Sequence, residues 1–234
     1  TANEIFVSQH KDIHYLRDVL RLREKDKVIF FDENGREYIA TIKNVSAEKI
    51  VAQIEKATRK ITKKQMHLTI ACALPKKTKM DEIIDRLTQL GVDKIIPLST
   101  ERTLVKLSPA RAALKLERWK KIALAAAQQS QRNTLPLIEP VTPLSRVLAS
   151  AADYRLKIIP HLGGERLLLK KALAAHRPES ALALIGPEGD FTPQEVGAAL
   201  KKGFIPVSLG KTVLRVETAA VAVAAFLRFF YEDD

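Results

Sequence analysis

Three stretches of the chain carry glycine directly after an apolar run: "IIPHLGGE" at 158–165, "LIGPEGDF" at 184–191 and "VSLGKTVLR" at 207–215. A residue without a side chain lets a ligand or a second loop come close to the backbone. Taken singly, each stretch reads as a tight turn. Three of them at the strand ends of one sheet point instead to a backbone-lined pocket. The middle stretch also places Glu188 and Asp190 around its second glycine, and the third ends in Arg215. Glu188 can accept a proton or organise its loop. Arg215 has the planar guanidinium that suits charge developing on an oxygen-bearing partner, although pairing with Glu217 would be an equally ordinary structural use.

Several chemistries are excluded by what is missing. No Gly-rich turn ends in Gly-Lys-Ser/Thr, and Gly186 with Gly189 does not make a dinucleotide fingerprint. No histidine or cysteine pair has metal-ligand spacing, so no metal is expected. Cys72 lies inside an apolar strand and reads as core, and no Gly-x-Ser-x-Gly elbow occurs. A pocket that is apolar and rich in backbone, with no phosphate cradle, suits a neutral or zwitterionic adenosine cofactor such as S-adenosyl-L-methionine better than a triphosphate.

The charge balance adds a partner. The 234 residues hold 39 Lys+Arg against 27 Asp+Glu, a formal net charge of +12. The excess is clustered: residues 102–132 carry basic side chains against the single acid Glu117, and residues 59–79 carry Arg59, Lys60, Lys63, Lys64, Lys76, Lys77 and Lys79 with no acid. Such clusters attract a polyanion through its phosphates, which makes nucleic acid the leading partner.

The elements that must position these residues fall into two groups. Over the first 66 residues, "KVIFF" and "EYIATI" read as strands joined by the polar turn "DENG", with "KIVAQI" as a further strand. A short helix is expected in "DIHYLRDVLR", where Ile13, Leu16, Val19 and Leu20 recur at helical spacing. "EKATRKITKKQ" reads as a polar connector. From 67 to 234, apolar runs such as "HLTIACAL", "KIIPL", "YRLKIIP", "ALALIG" and "FIPVSLG" alternate with helical patterns. That alternation predicts an α/β domain with a mainly parallel sheet covered on both faces, whose ligands bind beyond the carboxyl ends of the strands. "TPQE" at 192–195 is a capping box, with Thr192 at the N-cap and Pro193 at the first helical position. The longest apolar segment, 219–230, is too short to cross a bilayer and contains Arg228. With no secretory signal pattern and one cysteine, a reducing cytoplasm is the expected compartment.

Five blocks, "HYLRDVLR", "LTQLGVDKIIPLSTERT", "ERWKKIALAAAQQSQR", "LIGPEGDF" and "SLGKTVLRVETA", occur in an order that resembles the bacterial 16S ribosomal RNA uracil-N3 methyltransferases of the SPOUT class. The resemblance spans the chain. It implies a PUA-like β-barrel at the N-terminus (1–66) and a trefoil-knotted, S-adenosylmethionine-dependent methyltransferase domain (67–234). It also implies a homodimer acting on 16S ribosomal RNA, in the small ribosomal subunit, at N3 of uridine 1498. The cofactor would lie against Pro160, His161 and Gly163, against Leu184, Ile185, Gly186 and Gly189, and against Ser208, Leu209 and Gly210 with Leu214. The chain departs from the family pattern at Asp190, where a glycine is usual, at Thr212 for arginine, and at Gln89 and Gln128 for glutamates.

N3 of uracil holds a proton at neutral pH and is a poor nucleophile until it leaves. The site therefore needs a proton acceptor and a cation or donors near the flanking carbonyl oxygens. Arg215 is the first choice for the cation, and Glu188 for the acceptor or for the loop. Arg102, Arg118, Lys121 and Arg132, with Arg21 and Arg23 in the small domain, are the expected phosphate contacts. Two other readings stay open: a methyltransferase of this fold acting on a ribose 2'-hydroxyl or another base, and an RNA-binding assembly factor without catalysis.

Overall fold

The computed structural model describes residues 3–32, 36–59, 66–76 and 79–231. Positions 33–35 of the "DENG" turn, 60–65 of the connector, and Lys77 lie outside the described residues. The chain divides into two compact units, Thr1–Lys63 and Lys64–Asp234.

In the first unit, β1 (Glu4–Val7), β2 (Lys27–Phe31), β3 (Arg36–Val45) and β4 (Ile50–Arg59) form an antiparallel sheet in the order β1-β4-β3-β2. β4 runs further than the alternation of "KIVAQI" suggests. The ten residues of β3 offer backbone partners as far as Arg36↔Arg59, so the first part of the expected connector is strand. Ile13, Ala40, Ile42, Ile50 and Ala52 form the core of this unit. The helix α1 (His10–His14) buries Ile13 and continues into a π turn at Tyr15–Val19, where Leu20 N–H donates to the Tyr15 carbonyl. The wider turn shifts the phase of the side chains. Val19 and Leu20, inward at ideal helical spacing, are exposed instead.

The second unit is built on β5 (His67–Ala73), β6 (Lys94–Ser99), β7 (Leu137–Ile138), β8 (Thr142–Pro143), β9 (Leu156–Pro160), β10 (Leu167–Leu168), β11 (Ser180–Ile185) and β12 (Ile205–Ser208). All pair in parallel, in the order β10-β12-β9-β11-β5-β6-β7, with β8 also on β6. The helices are α2 (Lys79–Gln89), α3 (Pro109–Gln129), α4 (Leu144–Ala149), α5 (Leu169–Ala174), α6 (Pro193–Lys201) and α7 (Val216–Phe230).

Strand residues alternate between faces, and here both faces are apolar. On β11, Ala181, Ala183 and Ile185 pack into one cluster with residues of α2, α3, α5 and α7, whereas Leu182 and Leu184 pack into another with α4 and α6. α3 starts at Ser108, whose side chain accepts from the Arg111 amide, and buries Trp119, Ala123, Ala126 and Ala127. α7 buries Val216, Ala220, Val223, Ala224 and Leu227, and leaves Phe226, Phe229 and Phe230 exposed. Among the described residues no helix is long and apolar enough to cross a membrane.

Candidate functional site

β12, β9 and β11 are neighbours in the sheet, so the strand ends at Ser208, Pro160 and Ile185 form one rim. A cavity of about 440 Å³ opens there, closed on one side by the first turn of α7. That size falls within the roughly 300–1,000 Å³ of small-molecule pockets. Of the residues singled out from the sequence, Pro160, His161, Ile185, Gly186, Glu188, Ser208, Leu209, Gly210, Leu214 and Arg215 line it.

Three do not. Leu184 is fully buried in the opposite core cluster, because strand alternation sends it to the other face from Ile185. Gly163 lies beneath the His161 ring, where an added Cβ would stand 4.0 Å from Nδ1. Gly189 faces Arg102, whose Cδ would be 3.5 Å from an added Cβ and whose Nη1 donates to the Gly189 carbonyl at 2.7 Å. Glycine spacing marked the loops but did not resolve which backbone atoms face inward. Lys79, Arg166 and Glu217 line the cavity without having been picked out for it from sequence. The one available signal was the position of Glu217 in the first turn of a helix that follows a glycine loop.

The odd composition of "GPEGDF" now has a physical account. A Cβ on Gly186 would meet the Phe191 ring at 3.1 Å, so glycine makes room for that buried ring. The Asp190 amide donates to the Pro187 carbonyl, closing a tight turn, and Asp190 takes the left-handed conformation (φ +59°) that aspartate tolerates better than most residues. Its two carboxylate oxygens accept from the Leu162 and Phe191 amides at 2.8 Å each, which stitches the loop after β9 to the loop after β11. Glu188 accepts from the Lys76 amide at 3.0 Å and ties in the loop after β5. Thr192 and Glu195 form the capping box, and the spare oxygen of Glu195 accepts from the Glu101 amide.

Charges around the cavity are arranged unevenly. Glu217, at the start of α7, has its pKa lowered by its own backbone amide and further by Lys79 and Arg215, with burial opposing. Its ion-pair partner is Lys79, at 3.3 Å, which also reaches Glu82. Arg215, the N-cap residue of α7, is exposed and has no ion-pair partner within 4.0 Å among the described residues. The structural pairing of Arg215 with Glu217 is therefore not what the fold uses. The Cys72 thiol is pushed well up, first by burial and then by the fields of Glu188 and Glu217, as befits a core cysteine.

The expected phosphate contacts divide. Arg102 is exposed beside the Gly189 loop, and Lys121 is exposed on α3. Arg118 pairs with Asp81 at 2.8 Å but leaves its side chain 62% exposed. Arg21 and Arg23 are exposed in the first unit. Arg132 does not belong with them. Its side chain is only 10% exposed and donates to the carbonyls of Thr88 and Val92 beside Asp93, and burial lowers its pKa to about 10. Among the described residues no group of three or more His, Cys, Asp or Glu side chains is placed to hold a metal ion.

Residues 62–228 match the family described as RNA methyltransferase domain, and residues 9–55 the family described as RNA methyltransferase PUA domain. The chain is 30% identical over 214 residues to ribosomal RNA small subunit methyltransferase E of Bacillus subtilis, covering 89% of this chain and 84% of the relative. It is 35% identical to the protein of the same name from Synechocystis, covering 94% and 71%. The crystal structure of ribosomal RNA small subunit methyltransferase E from Neisseria gonorrhoeae bound to S-adenosyl methionine superposes with a TM-score of 0.85 at 27% identity, over 99% of this chain and 94% of the other.

Proposed function

Because the chain belongs to the family of small-subunit ribosomal RNA methyltransferases, we propose that it transfers a methyl group from S-adenosylmethionine to N3 of one uridine, position 1498, of 16S ribosomal RNA. The family makes the protein an S-adenosylmethionine-dependent ribosomal RNA methyltransferase. The base, the atom and the position are our reading.

The observation that carries it is the cavity at the carboxyl ends of β12, β9 and β11, lined by an arginine that has no ion-pair partner among the described residues. Its residues suit the cofactor. Ile185, Val207, Leu209 and Leu214 give an apolar wall for a flat aromatic ring, and Gly210 keeps its part of the rim free of a side chain. The carboxylates of Glu188 and Glu217 in the cavity lining favour a cation, and S-adenosylmethionine carries its methyl on a cationic sulfur.

Within this reading Arg215 stands at the mouth, where its guanidinium would meet the carbonyl oxygen that gains charge as N3 loses its proton. Glu188 organises the loop, because its carboxylate is held by the Lys76 amide. Arg102, Arg118 and Lys121, with Arg21 and Arg23, supply phosphate contacts. A trefoil thread around the cofactor site and a homodimer are part of the same reading. The dimer is supported by Phe226, Phe229 and Phe230, which α7 leaves exposed on one unit.

The test is incubation of small ribosomal subunits with labelled S-adenosylmethionine, followed by digestion and nucleoside mass analysis. The expected product is 3-methyluridine at one site. Label on a ribose oxygen or on another base would replace the proposed specificity. RNA binding without S-adenosylmethionine binding would mark a non-catalytic assembly factor. Light scattering of the purified chain tests the dimer.

A further inference from the structure

A uracil N3 proton needs an acceptor at the cavity, and each carboxylate there already has a structural bond. Glu188 is bonded to the Lys76 amide, and both oxygens of Asp190 to the amides of Leu162 and Phe191. Glu217 is paired with Lys79 and held in its ionised form at a helix start. Protonating Asp190 or Glu217 would forfeit bonds that hold the loops together, and Glu188 keeps one oxygen on the Lys76 amide as part of its loop.

His161 is placed differently. Its backbone is fixed on both sides: its N–H donates to the Val207 carbonyl at 3.4 Å, its carbonyl accepts from Arg166 Nη1 at 2.9 Å, and the next amide is held by Asp190. Gly163 and Gly164 turn beneath the ring, which lines the cavity and has no hydrogen-bond partner among the described residues. Burial lowers the imidazole pKa, with Asp190 opposing and Arg166 adding to the effect, so the ring is neutral at neutral pH. The other charges facing this space are Lys76 and Lys79 on one side, Arg215 and Glu217 at the start of α7, and Glu188.

We propose that His161 is the proton acceptor of the methyl transfer, a catalytic residue that rests on the reading of this cavity as the methyl-transfer site. A ring nitrogen of His161 takes the N3 proton while the N3 electron pair forms the bond to the methyl carbon. The carbon–sulfur bond of the sulfonium donor breaks and its electrons stay on sulfur. The proton then passes from His161 to solvent.

The experiment is single-turnover methylation of small ribosomal subunits at saturating S-adenosylmethionine, from about pH 5.5 to 8.5, for the wild type, His161→Ala and His161→Gln. The wild-type rate falls on the acid side as the ring is protonated. Both variants lose that limb and slow by about 100-fold or more, and added imidazole restores part of the His161→Ala rate. Calorimetry shows S-adenosylmethionine affinity within about threefold of wild type. A second readout needs no turnover: NMR of the free protein shows the His161 ring titrating below the ordinary value of about 6.5. A variant that keeps the wild-type rate and acid limb overturns the proposal. So does one that loses affinity more than about tenfold yet reaches the wild-type rate at saturation, since His161 would then only hold the cofactor. Wild-type protein that binds no S-adenosylmethionine would overturn the methyl-transfer reading itself, an outcome distinct from these.

Discussion

Asp93, just ahead of β6, and Arg228, near the end of α7, meet at 2.6 Å. The same Arg228 guanidinium donates to the carbonyls of Met66 and Gly91, and the same carboxylate oxygen accepts from the Leu68 amide. Arg132 approaches from the other side at 3.8 Å. One aspartate thus holds the last helix, the start of β5 and the turn after α2 in one place. Removing it leaves two largely buried cations uncompensated. Asp93→Ala is expected to destabilise the C-terminal unit by about 2–4 kcal/mol, the lower part of the range reflecting the partial exposure of Asp93. Arg86→Ala, which removes an exposed pair to Glu82 at 3.9 Å, changes it by less than about 0.5 kcal/mol. Urea unfolding of the two variants checks the contrast.

Gly186 lines the cavity with its backbone, but the side it leaves empty faces the core. A methyl group there would press on the Phe191 ring at 3.1 Å and on the Asp190 carboxylate at 3.3 Å. Overpacking of this kind costs about 1–3 kcal/mol. Gly186→Ala should therefore lower the stability of the C-terminal unit by about that amount, read by urea unfolding.

Arg215 has no ion pair to lose among the described residues, so its removal should be mild for folding. Arg215→Ala is expected to keep cofactor affinity but to lower the single-turnover rate by about 100-fold or more. Arg215→Lys recovers only part of that, because a point charge does not reproduce the planar fork. Unchanged turnover on assembled subunits would remove Arg215 from the chemistry.

The two basic residues Lys121 and Arg132 should separate cleanly. Lys121→Ala is expected to weaken RNA binding and to reduce the slope of log affinity against log salt by about 0.7–0.9, the release of one counterion's worth of contact. Arg132→Ala should leave that slope unchanged and instead lower stability, since its guanidinium is spent on the Thr88 and Val92 carbonyls. Filter binding across a salt series, with urea unfolding alongside, measures both.

Glu217 gives a pH signature. Its folded pKa is lowered, so the stability it contributes is fully present above the unfolded value of about 4.3 and is lost as pH falls through the lower folded value. The difference in stability between wild type and Glu217→Gln should therefore be constant near neutrality and shrink below about pH 4.5. A difference that grows on acidification would mean the carboxylate is not held in its charged form.

Much of this protein was legible along the chain because its causes are local. The alternation of apolar runs and helices that implies a parallel sheet, and the capping box at Thr192, follow from backbone sterics and short-range hydrogen bonds. The three glycine loops were identifiable for the same reason. Where the sequence reading slipped, a longer-range cause intervened. The π turn at Tyr15–Val19 changed the phase that put Val19 and Leu20 inward, and pairing with β3 extended β4 into the expected connector.

What the sequence by itself determined is which residue types lie at the strand ends, because strand, turn and cap signals act within a few residues. Only the tertiary structure decided which of them share a space. The order β12-β9-β11 brings residues far apart in the chain to one rim, and strand alternation turns Ile185 to the cavity side and Leu184 away. Packing buries Arg132 while leaving Lys121 in solvent, and gives Glu217 to Lys79 so that Arg215 has no ion pair among the described residues. These outcomes depend on contacts between distant segments, whose energies no local pattern encodes.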